Sequence, residues 1–349
     1  MPRSPVLAAA VAVLTLSCVV ASAQTGKREW IDDTLLEAAR KEGSLVVYTA
    51  TNEREARPLW QLFEDATGIK VNVVHAADPQ ILSRAMTEAQ ASQKTWDIVQ
   101  TANVQKFPAN MLAPVDLPDG KHLVQGAIAP DKRWYAVYAH FNVPAYNTKY
   151  IKRDELPKTF EEFAKKSEWK AKVAIDDTDT VWLAVLFDHY GETKAREILK
   201  ELVTNLQPAI VDGHQALARS VAAGEYWIAL NNYLDRTLDV KKADGATDFW
   251  MLDPVPLVWG AVGVSADAPN PNAARLAANF QISREAQTFL AKSGRRPTRS
   301  DVETDPPNVL DSVNGLSVKA KRLSDEDEKK WSAVFNEIFR PRPASLTGN

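Results

Sequence analysis

The chain has 349 residues, of which 45% are hydrophobic and 25% are charged, and its formal net charge is −3. Single hydrophobic cores stop growing at roughly 250–300 residues, so this length predicts two lobes. The composition is that of an ordinary folded protein, which excludes a disordered chain and a membrane bundle. A mildly acidic chain has no general electrostatic attraction for nucleic acid, so we expect no nucleic-acid partner.

The N-terminus has the pattern of a secretory signal peptide. Arg3 precedes an apolar run that ends in the small residues Ala21, Ser22 and Ala23, which predicts cleavage after Ala23 and a periplasmic location. No later apolar run approaches the roughly 20 residues that span a bilayer. Cys18 is the single cysteine of the chain and lies inside this segment, so we expect no thiol chemistry in the mature protein. We do not expect lipid anchoring at Cys18.

The first part of the mature chain predicts one β-α-β unit. The run "LVVY" is continuously apolar, as is typical of a strand buried on both faces. Asn52 can cap the helix that follows, and Gly68 can end it in the left-handed conformation. A second strand is predicted over residues 69–74. The first strand therefore delivers Thr49, Thr51 and Asn52 to the start of a helix.

A third predicted strand, "WDIV", runs out into "TAN" at Asn103. Ligands of open α/β sheets bind beyond the carboxyl ends of the strands. We therefore predict that Thr49, Thr51, Asn52 and Asn103 contact a ligand. The alternative is that each of them caps a helix.

A second α/β lobe is predicted from about residue 140, after the extended run "YAVYAHFNV". Its strand "KVAI" leads into a third polar loop, "DDTDT", whose acidic residues indicate helix capping more than a cation site. Trp182, just inside the next helix, is predicted to face a cleft. A late extended run through Gly263 predicts a return to the first lobe, with crossings near residues 140 and 257.

The common enzyme signatures are missing from the chain. It has no Gly-x-x-x-x-Gly-Lys loop, no Gly-x-Gly-x-x-Gly after the first strand and no Gly-x-Ser-x-Gly elbow, and its five histidines never occur four residues apart. We predict a binding protein with no catalytic residue, no cofactor and no metal site. An enzyme on the same architecture is the alternative from another class, because fold does not dictate function.

Four stretches, in order, resemble the extracytoplasmic solute-binding proteins of the ferric-ion-binding type, which serve ATP-binding-cassette importers. They are "GSLVVYTATNEREARPLWQLFEDATGIKV", "WDIVQTANVQKFPANMLAPVD", "GEYWIALNNY" and "PNAARLAANFQISREAQTFLAKSGRRPTRSDV". The resemblance implies an α/β fold of the type II periplasmic-binding class, with two Rossmann-like lobes that are joined by a two-strand hinge and close on a small solute. It also implies a permease and its ATPase as partners at the inner membrane. We expect a monomer.

This resemblance sets the predicted domain boundaries. They are the signal peptide at 1–23, lobe 1 at 24–139 and 258–310, lobe 2 at 140–257, and a C-terminal helical segment packed on the lobes at 311–349.

The resemblance also implies which positions would hold iron. Iron-binding members place a histidine after the first strand, a glutamate after the third and two adjacent tyrosines after a later strand. The matching positions are Asn52, Ala102, Tyr233 and Leu234. Fe³⁺ prefers anionic oxygen donors, and of these four residues only Tyr233 can supply one.

The positions that hold an accompanying anion in iron-binding members are matched better. They fall on Thr178, Thr180 and Asn231, and Arg236 could add a bidentate clamp. Together with Tyr233 these residues predict a small organic anion as the solute, such as a phosphonate, a phosphate ester or a carboxylate. Ferric iron held by an atypical ligand set is the alternative.

Overall fold

The computed structural model of the protein describes residues 28–321 and 323–340. The predicted signal peptide and Cys18 lie outside the described residues. Within these two ranges, no helix combines the length and the apolar character that a membrane crossing requires.

The described residues form eleven helices and eleven strands. The helices are α1 Asp33–Glu42, α2 Glu53–Thr67, α3 Asp78–Gln90, α4 Phe160–Ala164, α5 Thr180–Tyr190, α6 Glu192–Leu206, α7 His214–Ala223, α8 Leu234–Lys242, α9 Pro271–Gln281, α10 Arg284–Lys292 and α11 Asp325–Phe339. The strands are β1 Ser44–Thr49, β2 Lys70–His75, β3 Ile98–Thr101, β4 Tyr135–Asn147, β5 Val173–Asp176, β6 Ala209–Val211, β7 Ile228–Tyr233, β8 Thr247–Phe249, β9 Val255–Val264, β10 Arg296–Pro297 and β11 Val318–Ala320.

One long strand, β4, joins two halves of a mixed sheet whose order is β2-β1-β3-β9-β4-β7-β5-β6. The first part of β4, Tyr135 to Phe141, pairs with β9, and the last part, Asn142 to Asn147, pairs with β7 and β8. We call the half with β1, β2, β3 and β9 lobe 1 and the half with β5, β6 and β7 lobe 2. The structure thus has the predicted two-lobed α/β fold.

Each lobe has its own aromatic core. In lobe 1 the ring of Phe63 lies 5.9 Å from Trp60 and 5.5 Å from Phe280, which joins α2 to α9. In lobe 2 the ring of Trp182 meets that of Phe160 edge-on at 6.1 Å. The side chains of both cores are almost fully buried. Two separate cores are what a chain of this length favours.

Trp182 corrects a prediction, because it lies inside lobe 2 and not in a cleft. It is 1% exposed. Six consecutive residues of α5, from Trp182 to Phe187, are buried. A helix that is apolar all round is a core helix, so its first turn faces inward even though polar residues precede it.

The predicted caps fix the local structure at two strand ends. The Asn52 side chain accepts a hydrogen bond from the Glu55 backbone at 3.2 Å, and Gly68 ends α2 with φ 74°. In lobe 2, Asp179 accepts from the Trp182 backbone at 3.0 Å and caps α5. The acidic loop before α5 is therefore a helix cap, as its sequence predicts.

The C-terminal helix α11 packs on lobe 2 and touches lobe 1. Its Trp331 meets Phe187 of α5 edge-on at 4.9 Å, and Phe335 lies in the same core. At its first turn, Glu328 pairs with Lys106 of lobe 1 at 2.5 Å. The helix therefore links the two lobes at one side of the cleft.

A glycine allows the two crossing strands to approach each other. Gly260 of β9 lies opposite Tyr138 of β4 in the sheet register. A Cβ atom at Gly260 would lie 2.0 Å from a ring carbon of Tyr138. The Tyr138 ring can lie across β9 only because position 260 has no side chain.

Candidate functional site

β4 pairs with strands of both lobes, and we call the face of β4 that carries Tyr138, His140 and Asn142 the floor of the cleft. Alternate residues of a strand share a face, which groups Tyr138, His140 and Asn142. The His140 ring lies 5.1 Å from the Tyr138 ring, edge-on, and stacks on the ring of Tyr233 at 4.6 Å. The floor therefore carries polar and aromatic groups in the middle of an otherwise apolar strand.

Tyr233, the last residue of β7, lies between two imidazoles. Its ring stacks on His140 at 4.6 Å and on His214, the first residue of α7, at 3.7 Å. Burial raises the pKa of Tyr233 well above its ordinary value, and the charges of Asp179 and Asp176 raise it further. The phenol is therefore neutral at neutral pH.

The wall from lobe 2 carries two buried carboxylates. Asp176, at the end of β5, accepts hydrogen bonds from the backbone of Thr178 at 2.8 Å and of Gly213 at 2.7 Å. Asp179 accepts one from the Asn142 amide on the floor. Burial raises the pKa of Asp179. The two side chains hold the start of α5 and the start of α7 in place and add negative charge to the cleft.

The wall from lobe 1 carries Asp78, at the start of α3. Its carboxylate accepts hydrogen bonds from the Ala102 backbone at 2.7 Å and from the Thr101 hydroxyl, so it organises the loop after β3. Its charge contributes to the raised pKa of Tyr233 in lobe 2. Carboxylates thus approach the Tyr233 phenol from both walls.

A buried ion network connects the lobes beside this site. Arg295 of lobe 1 pairs with Glu55 through two bonds of 2.8 Å and with Asp235 of lobe 2 at 3.2 Å, and its guanidinium lies 4.5 Å from the centre of the Tyr138 ring. Asp235 also bonds to His140 at 2.9 Å. Burial alone would raise the pKa of Asp235, but His140 and Arg295 hold it far below its usual range.

A cavity of 240 Å³ opens next to this network, between α2 and α8. It is lined by Asn52, Arg54, Glu55, Asp235, Arg236, Asp239, Ser293, Gly294 and Arg295. The closest carboxylate oxygens to Arg236, those of Asp235 and Asp239, are both 3.7 Å away. Arg236 therefore has only long ion pairs and could meet an anion there.

Two of the predicted site residues, Asn52 and Arg236, line this cavity from opposite lobes. Tyr233 is stacked between the rings of His140 and His214. Asn103 lies at a different place, in a groove of 460 Å³ between α3 and α11 that also includes Lys106. The structure thus separates two strand ends that look alike in sequence.

The remaining predicted residues mainly make bonds within the protein. Thr49 is buried and donates to Gln100 at 3.0 Å, and Thr51 is buried beside it. The Thr178 hydroxyl donates to Asp176, while Thr180 is the half-buried first residue of α5.

The Asn231 side chain links β7 to the end of β5 in lobe 2. Its side chain accepts from the Asp176 backbone N–H at 2.7 Å and donates to the Asp176 carbonyl at 2.9 Å. It is fully buried. A contact between Asn231 and a solute stays a prediction.

Four residues that lie around Tyr233 or in the ion network were not predicted from the sequence. They are Asp78, His140, His214 and Arg295. For His140 the pattern "YAHFN" within β4 was a usable signal, because polar side chains at alternate positions interrupt an apolar strand. The other three positions depend on contacts that only the folded chain brings together.

In the part of the chain that the structure describes, no three or more His, Cys, Asp or Glu side chains are grouped so that they could hold a metal ion. The Tyr233 phenol is a possible oxygen donor of another residue type.

Two curated relatives are similar to this chain. "Iron uptake protein A1" of Synechocystis sp. (strain ATCC 27184 / PCC 6803 / Kazusa) is 24% identical over 282 residues, which cover 75% of this chain and 77% of the relative. "Fe(3+)-binding periplasmic protein" of Serratia marcescens is 26% identical over 196 residues, which cover 54% of this chain and 56% of the relative.

Among solved structures, iron-bound HitA from Pseudomonas aeruginosa has a similar fold, with a TM-score of 0.69 and 21% identity over 84% of this chain and 99% of that chain. The family model described as "Bacterial extracellular solute-binding protein" matches residues 59–312. The two lobes, the shared strand β4 and the cleft between the lobes are the type II periplasmic-binding fold. This chain belongs to the bacterial extracellular solute-binding proteins.

Proposed function

We propose that this protein captures ferric iron in the cleft between its lobes and delivers it to the membrane permease of its importer. The observation that carries the proposal is the charge of the cleft. Asp176 and Asp179 lie 3.6 Å and 3.8 Å from the His214 ring that stacks on Tyr233. Their charges, and that of Asp78 from the other lobe, raise the pKa of the Tyr233 phenol. An excess of negative charge favours a cation over an organic anion.

The buried guanidinium beside the cleft does not reverse this balance. Arg295 is already paired with two carboxylates, those of Glu55 and Asp235. The names of both curated relatives point the same way, since one is an iron uptake protein and the other an Fe(3+)-binding protein. These findings favour the ferric alternative over the organic anion that we predicted first.

The protein's own ligand set for iron is incomplete. Tyr233 can supply a phenolate, but Ala102 and Leu234 supply no donor atom. The ion would therefore arrive with part of its coordination shell, as water or a small carboxylate chelator. Thr178 and Thr180, at the start of α5, are proposed contacts of that accompanying group.

Replacing Tyr233 tests the proposal. Titration of the wild-type protein with ferric citrate is expected to produce the visible charge-transfer band of a ferric phenolate. Tyr233→Phe removes the phenolate, so the band is expected to disappear and the affinity to fall. The matched control is Tyr150→Phe, because Tyr150 is 51% exposed and stacks on Trp227 away from the cleft. Absorption spectra and citrate competition measure both effects.

A wild-type protein that develops no band and is not stabilised by ferric citrate would contradict this function. Ligand saturation at about 100 times Kd stabilises a protein by roughly 2.7 kcal/mol, which a thermal melt detects easily.

A small organic anion is the second candidate, because Arg236 lines the 240 Å³ cavity with only long ion pairs. A guanidinium without close partners favours a carboxylate or a phosphonate. A thermal-shift panel of such anions tests this candidate, and stabilisation by an anion without iron would favour it. We propose that either solute leaves unchanged; recovery of a chemically altered solute would instead indicate a cleft enzyme.

We also propose the remaining features of the importer component. They are a signal peptide cleaved after Ala23, a monomeric periplasmic protein, and the lobe boundaries near residues 140 and 257. Mass spectrometry of the secreted protein tests the cleavage position.

A further inference from the structure

His214 is a mostly buried polar side chain, 10% exposed. Within residues 28–321 and 323–340, neither of its ring nitrogens has a hydrogen-bond partner. Buried polar groups of native proteins almost always have a partner, so an imidazole with two unused nitrogens requires an explanation.

The nearby carboxylates do not satisfy this imidazole. Nε2 lies 3.6 Å from Asp176 Oδ1 and 3.8 Å from Asp179 Oδ2, beyond hydrogen-bond distance. The same two oxygens accept shorter bonds, Asp176 Oδ1 from the Thr178 backbone at 2.8 Å and Asp179 Oδ2 from the Asn142 amide. His214 therefore makes only long ion pairs with these carboxylates, and within the described residues its ring nitrogens have no hydrogen bond.

The other imidazole on Tyr233 provides a comparison within the same site. His140 stacks on the opposite face of the tyrosine, but its Nδ1 lies 2.9 Å from Asp235 and its Nε2 lies 3.5 Å from Arg295. His140 is held by the protein, whereas His214 is held by stacking on Tyr233 and by its place at the start of α7.

We propose that His214 is a ligand-binding residue, which supplies an imidazole nitrogen to the captured cation beside the Tyr233 phenol. This inference rests on the proposed function. Imidazole is a suitable iron ligand, and lobe 2 would then supply both protein donors. The histidine donor of this chain would thus come from the second lobe and not from the end of β1, where the chain has Asn52.

The variant His214→Phe separates binding from packing. Phenylalanine keeps an aromatic ring on Tyr233 but has no nitrogen donor. The affinity for ferric citrate is expected to fall by about 10-fold to 100-fold, with an unchanged melting temperature of the ligand-free protein. His189→Gln is the matched control, since His189 is a partly buried histidine that pairs with Asp253 at 3.5 Å, outside the cleft.

A second measurement does not depend on a variant. Ga³⁺ is a diamagnetic substitute for Fe³⁺, and its addition is expected to shift the ring-nitrogen NMR signals of His214 but not those of His189. Wild-type affinity in His214→Phe, or unshifted His214 signals in protein saturated with gallium, would overturn the inference while leaving iron capture intact. A wild-type protein that binds neither ion would overturn both.

Discussion

At Tyr233 one phenol separates two imidazoles that are chemically different. His140 is held by Asp235 of lobe 2 and Arg295 of lobe 1. The ring nitrogens of His214, in contrast, have no hydrogen-bond partner among the described residues. The raised pKa of the buried phenol means that forming the phenolate beside the carboxylates costs free energy, unless a bound cation offsets the negative charge. Tyr233 thus both packs the aromatic stack and responds, through its pKa, to the charge of the solute.

Asn231 is expected to stabilise the fold whether or not a solute is present. Asn231→Ala leaves the N–H and the carbonyl of Asp176 without partners, so the free energy of unfolding is expected to fall by about 1–3 kcal/mol. Urea denaturation of the ligand-free protein measures this change. Asn314→Ala, at an exposed position, serves as the control. An unchanged unfolding free energy for Asn231→Ala would show that the two hydrogen bonds between Asn231 and Asp176 do not stabilise the fold.

Sequence alone identified residues whose role is local. Asn52 and Gly68 could be predicted because a helix cap needs only its own few neighbours. Trp182 could not, because the core around it is assembled from distant parts of the chain, including Phe160 of α4 and Trp331 of α11. His214 meets Tyr233 across 19 positions, and one sequence has no local pattern that reports such a contact. One sequence therefore indicates which strands end in polar loops, but not which distant side chains meet there.

At the scale of elements, the segment after α10 is tied down by arginine–aspartate bonds. Asp301 accepts from Arg299 at 2.8 Å and from Arg284 of α10 at 2.6 Å. Arg299 also pairs with Asp119, in the loop before β4, at 2.6 Å. The segment after α10 is thus bonded both to α10 and to the loop before β4, which fixes its position in lobe 1.

Asp301 predicts a pH dependence of stability. Its hydrogen bonds with Arg299 lower the pKa of Asp301 below the unfolded value of about 3.9. A carboxylate with a lowered folded-state pKa adds stability above the unfolded pKa and loses it as the pH falls through the folded-state pKa. Wild type is therefore expected to exceed Asp301→Asn in unfolding free energy at pH 7, with a smaller difference at pH 3.

Denaturant titrations at the two pH values check this expectation. Asp154→Asn, at an exposed position, is the control. A difference between wild type and Asp301→Asn that is the same at both pH values would contradict the assignment.

At the scale of the whole molecule, ionic contacts join the lobes in addition to the continuous strand β4. Among the described residues they include Arg295 with Asp235, Lys242 with Asp305, and Lys106 with Glu328 of α11. The general two-lobed plan followed from chain length and the order of elements, but these contacts did not, because they form between residues 60 to 222 positions apart.

Removing the buried Arg295 is expected to weaken the contact between the two lobes. Arg295→Met leaves Glu55 and Asp235 buried without their partner, so the unfolding free energy is expected to fall by about 3–5 kcal/mol. Small-angle X-ray scattering is expected to show a larger radius of gyration. Arg153→Met, at a site 66% exposed and 3.8 Å from Asp248, is the control.

The triple variant Glu55→Gln, Asp235→Asn, Arg295→Met removes all three charges and is expected to recover part of the lost stability. If Arg295→Met kept both the wild-type stability and the wild-type scattering profile, the network would have no role in joining the lobes.

The missing side chain at Gly260 has an evolutionary consequence. The Tyr138 ring occupies the space where any other residue at 260 would place its Cβ, and the same ring lies beneath the guanidinium of Arg295. Positions 138 and 260 should therefore covary among homologous sequences, with a larger residue at 260 accompanied by a smaller one at 138. Sequences that have lost this pair should also have lost the arginine, since its aromatic support would be gone.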